Sequence, residues 1–146
     1  MKIEEFTRDN YLISTDIQKL DLAIIHNFLT NSYWSKGITI EKVKRSIEHS
    51  LCFGVYEGTK QIGFARVITD YTIFGYLADV FIIEEYRGNG LSKWFMECVV
   101  NHPEIQDLRS WMLATKDAHS LYEKYGFKKI EEPGKYMSKK NPDFYK

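Results

Sequence analysis

Apolar positions change period twice along the chain, from helical to alternating and then back to mixed. Residues 3–13 carry little periodic signal and could supply an edge strand. Thr15 followed by Gln18 is a capping-box pattern, and Ile17, Leu20, Ile24 and Phe28 recur behind it at helical spacing. This predicts a first helix. Residues 31–37 form a polar, glycine-ended loop holding Tyr33 and Trp34. Thr39 can cap a second helix with Ile40, Val43, Ile47 and Leu51 on one face. Residues 52–57 and 61–69 are rich in strand formers, and Gly58-Thr59-Lys60 between them predicts a tight hairpin. Asp70-Tyr71-Thr72 reverses the chain into a long strand over 73–83. A helix with Leu91, Phe95, Cys98 and Val99 on one side follows and stops at Asn101-His102-Pro103. Residues 109–115 predict another strand. Asp117 can cap a short helix carrying Ala118, Leu121, Tyr122 and Tyr125, which Gly126 ends. Residues 127–130 and 136–139 predict two last strands around a Pro133-Gly134 turn.

This order predicts an α/β (α+β) fold with a mixed, mostly antiparallel central sheet and helices on both faces. Strands joined through a helix run parallel with a right-handed crossover, and two such crossovers are expected at the C-terminal end. No linker or repeat interrupts the pattern, so residues 1–146 are expected to form one domain.

Composition narrows the possibilities only a little. Apolar residues make up 44% and charged residues 27%, ordinary values for a globular protein. Lys+Arg and Asp+Glu balance at 20 each, so no net field argues for nucleic acid or an anionic membrane. Cys52 and Cys98 sit in apolar surroundings, form no disulfide framework, and are expected to be free and buried. With no signal peptide or spanning segment in the sequence, a reducing cytoplasm is the expected compartment. The four histidines and two cysteines show no metal-ligand spacing, and no metal is expected.

The candidate chemistry lies where the strand ending Val80-Phe81-Ile82 meets the turn Arg87-Gly88-Asn89-Gly90 and the helix beyond it. A helix start exposes backbone N–H groups that lack intrahelical acceptors, and the helix dipole adds positive charge there, so the junction suits a phosphate. A P-loop needs four residues between its glycines and then Gly-Lys-Ser/Thr, which this turn lacks. The dinucleotide fingerprint needs a third glycine where Lys93 stands. ATP hydrolysis and NAD binding are both disfavoured.

What remains is Arg87-Gly88-Asn89-Gly90-Leu91-Ser92, followed downstream by Leu121-Tyr122-Glu123-Lys124-Tyr125-Gly126-Phe127. Together these runs resemble the GNAT superfamily of N-acetyltransferases, and the likeness covers nearly the whole chain. The resemblance implies that Val80, Phe81 and Ile82 pair with the pantetheine arm of acetyl-coenzyme A. It implies that the amides of Gly88, Asn89, Gly90, Leu91, Ser92 and Lys93 hold its pyrophosphate, with Arg87 near. It further implies Tyr122 as general acid toward the leaving thiolate, a role suited to a phenol whose pKa is about 10.

Three positions depart from the family. Ser92 stands where glycine or alanine is usual. Thr115 replaces an asparagine that contacts pantetheine in many relatives. Ala78 stands where polyamine acetylases carry glutamate before the aspartate, here Asp79. Asp79 is the candidate base or ammonium anchor, with Tyr76, Glu84 and His119 as alternatives acting through water. By strand alternation Asp79 is expected to face away from Ala78 and Val80. Tyr33, Trp34 and Tyr71 are expected to flank the acceptor entrance.

The implied reaction is direct transfer of an acetyl group to a primary amine of a small molecule or peptide. The alternatives are a coenzyme A-binding sensor or partner module with weak catalysis, and a nucleotide-binding protein of another fold. An exposed C-terminal hairpin would make a homodimer plausible.

Overall fold

Hydrophobic alternation sorts onto the two faces of a single sheet in the computed structural model, which describes residues 2–146. Its strands lie in the order β1 (Glu5–Arg8), β2 (Tyr11–Ser14), β3 (Leu51–Glu57), β4 (Lys60–Thr69), β5 (Phe74–Ile82) and β6 (Ser110–Leu113). Neighbours run antiparallel except β5 and β6, which are parallel. A parallel pair needs a crossover, and α3 (Leu91–Val100) supplies it. Helices α1 (Leu22–Thr30) and α2 (Ile40–Glu48) lie between β2 and β3, and α4 (His119–Glu123) follows β6.

One face of the sheet carries Phe53, Val55, Ala65, Val67 and Leu77 against Leu91, Phe95, Met96 and Val99 of α3. The other carries Phe64 and Phe81 against Ile25 and Leu29 of α1 and Val43 and Ile47 of α2. Burying each of these large side chains contributes on the order of 1.5–3 kcal/mol, so the helices are held by packing rather than propensity. The expected mixed sheet with helices on both faces is the architecture found.

Local corrections follow from who satisfies which backbone group. The first helix does not start behind Thr15. The Thr15 hydroxyl accepts from the Glu4 N–H at 2.9 Å, tying the β1–β2 hairpin, and Ile17–Lys19 form only a 3-10 turn. The helix begins at Leu22, where Asp21 accepts from the N–H groups of Ala23 and Ile24. Thr39 caps α2 as expected, accepting from the Lys42 N–H. Asp117 does not cap α4; Thr115 Oγ1 accepts from the Ala118 N–H at 3.1 Å instead.

The strands expected over 127–130 and 136–139 are absent among the described residues. Nearly all of 127–146 is exposed, and Pro133–Lys135 is a single 3-10 turn. Among the described residues only one crossover is present, and the C-terminal hairpin that suggested a homodimer is not formed. No described helix is long and apolar enough to cross a membrane.

Two features of β5 position the site. Phe64 pairs with Phe81 and Arg66 with Ala78, so Ala65 alone faces both Asp79 and Val80. This β-bulge puts Asp79 in the left-handed region at φ 55°, and it breaks the alternation expected of the strand. On the opposite edge, the β5–β6 ladder ends at Leu77 and Leu113. From Ala78 to Ile82 the β6-facing edge of β5 has no strand partner.

Candidate active site

The divergence of β5 and β6 opens a cavity of about 1090 Å³. Asp79, Val80, Phe81, Ile82, Arg87 and Ser92 line one wall, and Thr115 and Tyr122 the other. Tyr33 and Trp34 line its end toward α1. Residues 76–82 all border the cavity, and the bulge turns Asp79 to Arg66, the strand partner of Ala78, in place of the strict alternation expected. Most of the sequence-predicted site is therefore assembled around one space.

The turn between strand and helix is braced from both sides. Arg87 Nε donates to the Ile82 carbonyl at 2.8 Å, and Tyr86 Oη donates to Glu57 Oε1 at 2.9 Å. Gly88 and Gly90 both lie at φ 83°, where a β-carbon is strained. A β-carbon at either would meet no other atom within 4 Å, so backbone conformation, not crowding, demands glycine here. Asn89 Oδ1 accepts from the Leu91 N–H at 3.3 Å, and Leu91 itself is buried in the α3 core. Among the described residues the N–H groups of Gly88, Asn89 and Gly90 have no backbone acceptor, and those of Ser92 and Lys93 open the first turn of α3. Lys93 is exposed and does not line the cavity; its carbonyl accepts from Tyr125 Oη at 2.9 Å.

Tyr122 lies on α4, edge-to-face with Phe127 at 6.0 Å. Burial pushes its phenol pKa up, and the charges of Tyr33 and Asp117 push the same way. The hydroxyl therefore stays protonated at neutral pH and can donate a proton but not take one. Thr115 reaches the cavity wall, yet its side chain is spent on starting α4.

Asp79 is not a free carboxylate. Arg66 Nε donates to one oxygen at 2.9 Å and Trp34 Nε1 to the other at 3.0 Å. Arg66 also donates to Ser50 Oγ at 3.1 Å. Both oxygens of this carboxylate are engaged, one by a guanidinium and one by an indole, so the geometry favours a positioning role. Of the other bases considered, Tyr76 lines the cavity, while Glu84 and His119 are exposed away from it. Tyr71 is also away from it. Its N–H bonds Thr69 Oγ1 at 2.9 Å in the β4–β5 turn, and its ring packs on the α3-side core.

Several lining residues escaped the sequence reading. Phe28 of α1 stacks on Phe81 with centroids 3.9 Å apart and planes at 6°. Asn27, Asn31 and Lys116 complete the α1 end. Arg66 left the clearest signal, a charge inside the apolar run Phe64-Ala65-Arg66-Val67, where burial demands a partner. Among the described residues no group of three or more His, Cys, Asp or Glu side chains could hold a metal ion.

Comparison with known proteins agrees with this geometry. Residues 48–129 match the family described as the acetyltransferase (GNAT) domain. A crystal structure of a candidate GNAT acetyltransferase from Xanthomonas campestris pv. campestris is 44% identical, superposes with a TM-score of 0.90, and is covered over 95% of this chain and 99% of that one. A candidate acetyltransferase from Gibberella zeae is 28% identical over 155 aligned positions, covering 90% of this chain and 86% of the relative. At 17% identity and a TM-score of 0.59, a candidate acetyltransferase from Clostridium acetobutylicum shares the fold over 95% of this chain and 96% of its own; that protein was solved with acetyl-CoA. The chain belongs to the GNAT acetyltransferase family.

Proposed function

We propose that the protein transfers the acetyl group of acetyl-coenzyme A directly to a primary amine of a small molecule or peptide. The observation that carries this reading is the unpartnered edge of β5 from Ala78 to Ile82, which leads straight to the amides around Gly88–Lys93. An open strand edge offers N–H and C=O groups to an amide-bearing chain, and a glycine turn at a helix start suits a pyrophosphate. Residues Val80, Phe81 and Ile82 would hold the pantetheine arm. Gly88, Asn89, Gly90, Ser92 and Lys93 would hold the pyrophosphate, with Arg87 bracing the turn and adding charge. Leu91 anchors the helix below them. A strand N–H at the bulge would accept negative charge developing on the acetyl oxygen.

Tyr122, protonated and on the opposite wall, would return a proton to the leaving sulfur. The amine would enter from the Tyr33–Trp34 end. Its own proton would leave through water, since Asp79 is engaged and Ala78 offers no carboxylate. The reaction needs no covalent intermediate on the protein. A reducing, cytoplasmic setting fits this reading, with Cys52 and Cys98 both buried and free.

Ala78 and the engaged Asp79 favour one second reading, a coenzyme A-binding sensor or partner module. A thiol-release screen across amino acids, aminoglycosides, polyamines and peptide N-termini separates the two. Release with at least one amine, lowered about a hundredfold in kcat by Tyr122→Phe with acetyl-coenzyme A affinity retained, is the expected result. Acetyl-coenzyme A binding by calorimetry with no release across the panel would leave the sensor.

A further inference from the structure

The last residues of the chain return to the α1 end of the cavity. Tyr145 Oη donates to the Trp34 carbonyl at 3.2 Å, with Ser35 Oγ 3.5 Å away. Phe144 lies beside it, edge-to-face at 4.8 Å. The Lys42 ammonium of α2 sits 4.0 Å from the Phe144 ring centroid and donates to the Phe144 carbonyl. Two adjacent residues thus clasp the start of α2 and the loop before it.

That loop, residues 31–37, has no regular structure of its own and carries Tyr33 and Trp34. It is tied to the end of α1, where the Ser32 N–H and hydroxyl donate to the Leu29 carbonyl and the Gly37 N–H to the Thr30 carbonyl at 2.9 Å. Within the loop itself, the Ser35 N–H donates to Ser32 Oγ at 3.1 Å. Trp34 packs its ring beside Phe28 and Tyr33, with centroids 6.2 and 5.1 Å apart, and is hydrogen-bonded twice. Its indole N–H is fixed to Asp79 on the cavity side, and its backbone carbonyl is fixed to Tyr145 on the outer side. Phe144 and Tyr145 lie outside both core clusters, and their contacts run to Lys42 of α2 and to Trp34 and Ser35 of the loop.

We propose that Phe144 and Tyr145 are positioning residues of the acceptor site, setting where the Trp34 indole stands at the cavity entrance. The inference rests on the proposed acetyl transfer only in calling that end of the cavity the acceptor side. The link from tail to indole is independent of it.

The test labels the three tryptophans with 5-fluorotryptophan and follows them by fluorine NMR in Tyr145→Phe and in a chain ending at Pro142. Trp34→Phe assigns the resonance. Both variants should move the Trp34 resonance and leave those of Trp94 and Trp111 in place. With the fastest amine of the thiol-release screen, KM for the amine should rise about fivefold in Tyr145→Phe, as the loss of one neutral hydrogen bond allows. Values of kcat and of KM for acetyl-coenzyme A should hold. A Trp34 resonance that neither variant moves overturns the proposal, and so does a KM rise shared equally by both substrates. If the intact protein releases no thiol with any amine, the proposed transfer fails by that screen, and the Trp34 resonance still decides this inference.

Discussion

Trp34 and Asp79 meet across the mouth of the cavity through a 3.0 Å hydrogen bond, although 45 residues separate them in the chain. The same carboxylate holds Arg66, and the side chains of Arg66 and Asp79 are only 14% and 9% exposed. Asp79 also sits at φ 55°, a conformation costing an L-residue on the order of 1–2 kcal/mol that asparagine and aspartate bear best. Asp79→Ala therefore strands a largely buried guanidinium and keeps the backbone strain, for an expected loss of about 3 kcal/mol. Asp79→Asn keeps an acceptor for Trp34 and tolerates the backbone, and should lose about half as much. Urea unfolding measures both. Equal losses in the two variants would show that the ion pair contributes nothing beyond the side chain's shape.

Alkaline pH should weaken the fold. Burial raises the Cys52 thiol to about 12 and the Cys98 thiol to about 11, both from 9.0. Burial likewise raises the phenols of Tyr56, Tyr71 and Tyr122 above 10.0. In each case the folded state keeps a proton that the unfolded chain releases. Stability is thus fully present below pH 9 and falls as pH rises through the folded values. Cys52→Ala should flatten the decline between pH 9 and 11 by up to about 1.4 kcal/mol per pH unit, the contribution of one proton. Unfolding midpoints that stay level or climb over this range would contradict the assignment.

Gly90 separates two explanations of the glycine turn. If crowding required glycine, every side chain would be equally unwelcome. The space around its missing β-carbon is empty and φ is 83°, so the cost should follow backbone preference. Gly90→Asn should cost well under 1 kcal/mol, and Gly90→Val about 2 kcal/mol, because asparagine visits the left-handed region and a β-branched residue does not. Acetyl-coenzyme A affinity by calorimetry should fall in the same order, since the turn's amides move with the backbone. Similar affinity in the two variants would detach the turn's conformation from ligand binding.

The sequence made most of this legible wherever one local signal had no competitor. Thr39 caps α2, Gly58-Thr59 turns β3 into β4 with Lys60 already paired to Glu57, and the alternating runs of β3 to β5 reach the sheet because their partners are neighbours in the chain. Thr15 misled because its hydroxyl had a rival use across the β1–β2 hairpin, while Asp21 took the helix start. Residues 127–130 and 136–139 have strand-forming composition, but a strand needs an edge to pair with, and composition does not say whether one is within reach. The bulge at Asp79 was hidden for a related reason. An extra residue in one strand is visible only against its partner, here Ala65, and it moved Asp79 from one face to the other. The family likeness was legible in the glycine turn and the Leu121–Phe127 run because it lies in spacing and residue type. Arg66, Phe28 and the tail residues joined the site only through tertiary contact.

Thr115 ties these threads to the Tyr122 side of the cavity. Its hydroxyl accepts at 3.1 Å from the N–H of Ala118, the residue just before α4, a helix of five residues that carries Tyr122 and has no side-chain cap. A helix this short has little stability of its own, so one start bond governs how firmly Tyr122 is held. Thr115→Val keeps the volume and loses the acceptor, which should cost about 1 kcal/mol and loosen the phenol. Thr115→Ser keeps the bond, and Thr115→Asn offers a carbonyl oxygen in the same role. Valine should therefore lower kcat several-fold with acetyl-coenzyme A affinity little changed, while serine and asparagine stay near the parent. Hydrogen exchange at the Ala118 and Leu121 amides reports the helix start without any turnover, and it should quicken in the valine variant alone. If exchange quickens and kcat does not fall, the bond from Thr115 does not govern how firmly Tyr122 is held.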